Sequence, residues 1–383
     1  MIGGLSGDPI QGAAIPALDG LREAFARGAV ARPSASMAIT VYHRGEPVAD
    51  LWSGPAYVRD SLQLVFSVTK AMTAVATMAL VGEGLLDLDA PVADVWPDFG
   101  RAGKDAITTR WILAHRAGLP TVDARLTMDD LVARDPVIRA LEAQAPLWAP
   151  GTAHGYHLWT LGYLADEVVR RTTGVSVGAV FREKVAGPLG LDAWIGLPAS
   201  EHQRVAPVRL DDASATGLPS EAVLTARADP GSVHSRTTGN PPIDPIAWNS
   251  SDVLGAAIPA GNGVADARSL ARMLAACIGE VDGVRLFDEA MLEALTASQS
   301  EGFDLVGLEE NRFGLGVFLP FPRLPFGGPG SFGHDGLGGC VALADADHEL
   351  AFAYTTDLVP VVPGADPIAW HLLDAARDGI QHA

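Results

Sequence analysis

Apolar strand-like segments stand near both ends of the chain, and helical periodicities fill the space between. Residues 36–54, "SMAITVYHRGEPVADLWSG", read as a β-hairpin turning at Arg44-Gly45-Glu46-Pro47. Towards the other end, "RFGLGVFLP" and "GGCVALADADHELAFAYTTD" read as three strands, the last two turning at Asp345-Ala346-Asp347-His348. Helical segments lie outside these strands, at residues 17–28 and in "DPIAWHLLDAARDGI". Strands from both ends need common neighbours, so they predict an α/β lobe built from both termini, residues 1–80 and 263–383. A helical and loop-rich lobe, residues 81–262, is inserted in it.

Inside the insertion the helix signals are local. "ITTRWILAHRAGLP" reads as a short helix stopped by Gly118 and Pro120. "TMDDLVARDPVIRALEAQ" starts on a Thr127 cap and breaks near Pro136. "LWTLGYLADEVVRRTTG" places Leu161, Leu164, Ala165 and Val168 at helical spacing and stops at Gly174. Residues 205–262 are rich in Pro, Asp, Gly and Ser and read as short strands and loops. Asp266 reads as the N-cap of "ARSLARMLAACIG", in which Cys277 falls on the apolar face.

Composition narrows the function classes. The chain has 383 residues, 48% hydrophobic and 19% charged, which describes a core-forming protein. Its net charge of −19 argues against nucleic acid and against an anionic membrane surface as partners. No apolar run reaches the roughly 18 residues of a membrane span. The first 25 residues carry no leader pattern, and the two cysteines, Cys277 and Cys340, read as reduced thiols, so a cytoplasmic location is expected.

Three stretches carry chemistry. "FSVTK" sets Ser67 and Lys70 at i and i+3, on one helix face. A serine hydroxyl needs a base to act as a nucleophile, and a lysine becomes one only when burial or neighbouring charge lowers its pKa. With 18 serines and three lysines in the chain, such a pair arises by chance about 0.14 times, so the spacing alone is weak. The flank "AMTAVATMAL" strengthens it, because a helix that apolar is buried and takes its lysine with it. Tyr156, in "GTAHGYHLWTLG", is a second proton-transfer candidate beside His154, His157 and Trp159. His154 and His157 lack the partner spacing of a metal site, and no metal or cofactor is expected. "FGHDGLGG" precedes an apolar strand, where glycines permit close approach and backbone N–H groups can face an oxyanion. No G-x-S-x-G, phosphate-loop or G-x-G-x-x-G pattern is present.

The order S-x-x-K, then Tyr, then His-x-Gly before a strand resembles the serine β-lactamase and penicillin-binding-protein superfamily. Within it the chain is similar to class C β-lactamase-related hydrolases, especially family VIII carboxylesterases. "GEGLLDLDAPV", "ILAHRAGLP", "WAPGTAHGYH" and "IPAGNGVADARSLAR" extend the likeness over residues 20–380. The resemblance implies a β-lactamase/transpeptidase-like fold of α/β (α+β) type, with an antiparallel sheet flanked by helices. It makes Ser67 the acylated nucleophile, Lys70 its base and Tyr156 a second acid/base. The oxyanion hole would be the backbone N–H groups of Ser67 and Leu337, and His334, Asp335, Gly336, Leu158 and Trp159 would touch substrate.

Two departures from the family pattern bear on the substrate. Leu158 stands where β-lactamases and D-peptidases carry the Asn that binds a substrate amide, and His334 stands in place of a Lys. Both favour an uncharged ester over a lactam. The expectation is a carboxylesterase acting on small short-chain esters, as a monomer or homo-oligomer, with Trp111 and Trp148 joining Trp159 and Leu158 as pocket walls. An amidase, D-peptidase, transacylase or weak β-lactamase on the same site, or a non-catalytic module of that fold, are the alternatives.

Overall fold

A computed structural model describes residues 10–210, 219–242, 244–359 and 364–381. The first nine residues, part of the segment read as lacking a leader, lie outside these ranges. Six antiparallel strands make the larger sheet: β1 Ile10–Ala14, β2 Met37–His43, β3 Glu46–Ser53, β4 Ser331–Asp335, β5 Val341–Asp345 and β6 Leu350–Thr356. Their spatial order is β1-β3-β2-β6-β5-β4, so the two ends of the chain meet where β2 pairs with β6.

Strand periodicity decides which helices cover which face. In β5 and β6 the large residues Val341, Leu343, Leu350, Phe352 and Tyr354 point to one side, and Ala342, Ala344, Ala351 and Ala353 to the other. The large side packs on Leu18, Leu21 and Phe25 around α1 (Asp19–Ala31) and on Leu372 and Leu373 of the C-terminal helix Pro367–Gln381. The alanine side takes the helix Ala267–Ile278, whose Leu270, Met273, Leu274 and Cys277 are buried against it. Asp266 caps that helix, accepting from Ser269 N at 2.7 Å. Cys277 and Cys340 are separate buried thiols.

On the alanine side lies α2 (Val68–Gly82), twelve of whose fifteen residues are buried. A helix buried on every face needs small or apolar residues all round, and "VTKAMTAVATMAL" supplies them. Lys70 is 0% exposed within it. A four-stranded patch (Leu62–Leu64, Ala193–Ile195, Val205–Ala206 and Gly263–Ala265) carries the chain into α2 and holds the segment that wraps it. The expected caps further along form: Thr127 and Asp130 make a capping box, and Gly174 ends the helix Thr160–Thr173 in the left-handed region.

Three expectations change. Residues 312–320 are not one strand: Glu310–Phe313 pairs with Ser300–Phe303, and the chain then bends at Gly314 and Gly316. A side chain at Gly314 would meet the Leu295 carbonyl at 2.1 Å, so this segment is shaped by a neighbour, not by strand propensity. The third strand beside β5 is instead Ser331–Asp335, whose "SFGHD" has little β character and is held by pairing with β5. Residues 205–262 contain the helices Glu221–Ala228, Val233–Thr238 and Ser251–Gly255 as well as short strands; the first three residues of each start after a serine cap. No helix among the described residues is long and apolar enough to cross a membrane.

Candidate active site

Ser67 is the residue before α2, and Phe66 before it has φ of 46°. A bulky residue in the left-handed region is strained, and such strain persists only when neighbours over-determine it. Here they do. Thr69 donates its hydroxyl to the Phe66 carbonyl and accepts from Gly263 N at 2.7 Å. The Phe66 ring sits 5.6 Å from Trp248 and close against Gly338. The result turns Ser67 out of the helix start into a cavity of about 1050 Å³.

Lys70 Nζ lies 3.3 Å from Ser67 Oγ and donates to the carbonyls of Leu158 at 2.9 Å and Ala260 at 3.0 Å. Burial lowers its pKa to about 7, against a smaller upward pull from Asp335. The amine therefore exchanges its proton near neutrality. A neutral amine has two N–H bonds and one lone pair. Two carbonyls take the N–H bonds, and the lone pair is left for the Ser67 hydroxyl.

Tyr156 completes the group. Its ring lies 4.6 Å from Lys70 Nζ, stacks near Phe313 and Phe318 and tilts on His115. Burial raises its phenol well above the ordinary value, and a hydrogen bond with Ser67 offsets part of that rise. At neutral pH it is a protonated donor. Its backbone is held by groups far off in sequence. Asp304 Oδ1 accepts from Tyr156 N at 3.1 Å, Val306 N at 2.8 Å and Gly307 N at 2.6 Å, and Asp304 Oδ2 accepts from Asn311 at 3.0 Å.

The neighbouring histidines brace this loop. His157 Nε2 accepts from Leu119 N at 3.0 Å, so its Nδ1 donates to Gly155 O at 2.6 Å, and His157 N donates to His115 Nδ1 at 2.9 Å. These bonds require neutral rings. Burial supplies that condition, pushing His157 down to about 4 and His115 well below its ordinary value. His154 Nε2 meets Asn311 Oδ1 at 2.9 Å. Among the described residues no group of three or more His, Cys, Asp or Glu side chains could hold a metal ion.

On the facing side, β4 ends beside the nucleophile. A side chain at Gly336 would stand 2.4 Å from the Val65 carbonyl, so only glycine lets the chain pass this close. Neither Ser67 N nor Leu337 N has a hydrogen-bond acceptor among the described residues, and both residues line the cavity. Asp335 also lines it, and Arg323 donates to Asp335 at 2.7 Å and to Glu309 at 2.9 Å. Burial pushes the Asp335 carboxyl up, but the guanidinium beside it and the other neighbours hold it below the ordinary value.

The structure thus gathers Ser67, Lys70, Tyr156, Leu158, Trp159, Asp335, Gly336 and Leu337 in one place. It corrects three residues. His334 is 1% exposed and lies behind Tyr156, its ring 6.0 Å from the phenol ring, with Nδ1 on the Asp335 carbonyl. It faces the interior, not the cavity, because strand alternation sends its side chain opposite to the cavity-lining Asp335. Burial first, then Lys70, holds its pKa down to about 3. Trp111 and Trp148 do not line the cavity; they pack beside Gly151 and Gly155. Sequence reasoning missed Asp304, Ala260 and Trp248, each of which acts on a residue more than 100 positions away, and Arg323, whose partners Asp335 and Glu309 stand 12 and 14 positions off with no regular pattern between them.

Comparison with known proteins bears on this geometry. The family model described as Beta-lactamase matches residues 21–377. "Esterase/beta-lactamase LipL" of Mycobacterium tuberculosis (strain ATCC 25618 / H37Rv) is 35% identical over 365 residues, which cover 91% of this chain and 83% of that protein. The crystal structure of a family VIII carboxylesterase superposes with a TM-score of 0.87 at 33% identity, covering 97% of this chain and 99% of that one. A penicillin-binding protein homologue from Caulobacter crescentus does so with a TM-score of 0.85 at 35% identity and the same coverage.

Proposed function

We propose a serine carboxylesterase, on the premise that the chain belongs to the beta-lactamase family and is a serine hydrolase of that type. The observation that carries the proposal is the contact set of Lys70 Nζ: two carbonyls, one serine hydroxyl, and a pKa of about 7.

In this reading Ser67 Oγ attacks the ester carbonyl while its proton passes to Lys70 Nζ. The developing oxyanion is held by Ser67 N and Leu337 N, each contributing about 3–4 kcal/mol in the transition state. The C–O bond breaks, and the leaving alkoxide takes the Tyr156 phenol proton. The ammonium of Lys70, 4.6 Å from that ring, stabilises the phenolate until the proton is returned. Water then attacks the acyl-serine, giving up its proton to the same pair, and Ser67 leaves protonated with the acid released.

Two features support an ester over a lactam or peptide. Leu158 lines the cavity with an apolar side chain while its carbonyl is occupied by Lys70, so no side-chain group at this position pairs with a substrate amide. Arg323 is already matched by two carboxylates, so it is a poor receptor for a substrate carboxylate. A cytoplasmic location belongs to the same proposal and draws on the two separate buried thiols.

The test is a comparison of p-nitrophenyl butyrate with nitrocefin. Wild-type enzyme is expected to favour the ester by about 100-fold or more in kcat/KM, the 2–3 kcal/mol that an unpaired substrate amide costs. Equal efficiencies on the two would overturn the ester reading. Gly336→Ala probes the oxyanion hole separately. Its Cβ must push the Leu337 segment off Val65, and kcat is expected to fall about 10²–10³-fold with KM little changed.

A further inference from the structure

A short-chain ester fills only part of a cavity of about 1050 Å³, and the remainder is not uniformly apolar. Three lining side chains carry a buried polar atom with no partner among the described residues: Trp159 Nε1, His234 Nε2 and Thr237 Oγ1. Native chains keep few such atoms, because an unmade hydrogen bond in the interior is unfavourable. His234 and Thr237 are 8% and 0% exposed and stand at i and i+3 on the helix Val233–Thr238, hence on one face.

The chemistry of each atom is determined. Trp159 Nε1 can only donate. His234 Nδ1 lies 2.8 Å from the Val306 carbonyl, which can only accept, so Nδ1 carries a hydrogen, and in the corresponding tautomer Nε2 is an acceptor. The Thr237 hydroxyl does both. The cavity lining around this helix mixes the apolar Leu210, Val223 and Pro242 with the polar Ser220, Arg227 and Thr238. A group that suits these three atoms both donates and accepts, which describes a hydroxyl.

We propose that Trp159, His234 and Thr237 form a polar subsite that takes a hydroxyl of the substrate away from the scissile bond, so that the enzyme acts on hydroxylated esters. This rests on the esterase reading and adds the substrate class to it. None of the three atoms is open to bulk water in the free chain, so a hydroxyl reaches them only when these side chains turn towards the cavity.

The experiment compares paired substrates that differ by a hydroxyl. On the acyl side the pair is p-nitrophenyl hexanoate and 6-hydroxyhexanoate; on the alcohol side it is propyl butyrate and 3-hydroxypropyl butyrate. Wild type is expected to favour the hydroxylated member of one pair by about 10-fold in kcat/KM. In Thr237→Val and in His234→Asn, which keeps a donor for the Val306 carbonyl but removes Nε2, that ratio is expected to fall about 3- to 10-fold. Thr237→Val should melt no lower than wild type, because it removes an unpaired hydroxyl. Equal efficiencies within both pairs for wild type, or a preference that survives both substitutions, would overturn the subsite while leaving the esterase reading intact. Failure to turn over any of the four esters would sink the esterase reading and this inference with it.

Discussion

Ser67→Ala is expected to lower kcat for p-nitrophenyl butyrate by about 10⁵-fold, to near the rate that binding and the oxyanion hole sustain alone. The reason is chemical. Without Oγ no acyl-enzyme forms, and the base at Lys70 has no proton to take. The substitution removes one oxygen at a cavity surface, and Ser67 makes no side-chain cap to α2, so the fold should survive with its melting temperature within a few degrees of wild type. Mass spectrometry supplies the second readout. A slow ester or fluorophosphonate should add one acyl or phosphonyl mass to wild type and none to Ser67→Ala. Retained turnover, or labelling elsewhere, would mean that the cavity has a different nucleophile.

Lys70→Arg is expected to lower kcat/KM by 10³-fold or more although it keeps the positive charge. A guanidinium cannot lose its proton in this pH range, so it cannot accept one from Ser67. Wild type should show the matching pH dependence: kcat/KM rises through about pH 7 as Lys70 becomes neutral, then levels. Stability follows the same proton. The folded-state pKa is below the unfolded value, so between about 7 and 10.5 the unfolded chain binds more protons, and stability rises with pH across that window. Below pH 7 the full penalty of a buried charge is present. Chemical denaturation of wild type and Lys70→Met over pH 6–10 checks the sign, because the Met variant lacks this slope. An active Lys70→Arg enzyme, or a flat wild-type profile, would assign the base to another group.

Much of the site was legible before any fold was known, because its chemistry begins in local spacing. Ser67 and Lys70 are one helical turn apart, and the apolar run after them implies the burial that lowers the lysine. Caps were legible for the same reason: Asp266, Thr127 and Gly174 act on residues within a few positions. Strand β4 was not, because "SFGHD" has no alternation of its own and is a strand only by pairing with β5. His334 was misplaced for a related reason: once the segment is a strand, alternate side chains face opposite ways.

What the sequence determined by itself is therefore the set of reactive residue types, their order, and the helix that carries two of them. Whether they become a site is a matter of long-range contacts. Lys70 is poised only because the Ala260 carbonyl arrives from 190 residues away and Leu158 from 88. Tyr156 is aimed only because Asp304, 148 residues on, holds its backbone, and Gly336 is needed only because β4 runs against Val65. Periodicity and capping reflect interactions over one or two turns of chain and survive as pattern. Desolvation, paired carbonyls and close backbone approach depend on which distant segments pack together, and tertiary structure alone decides that.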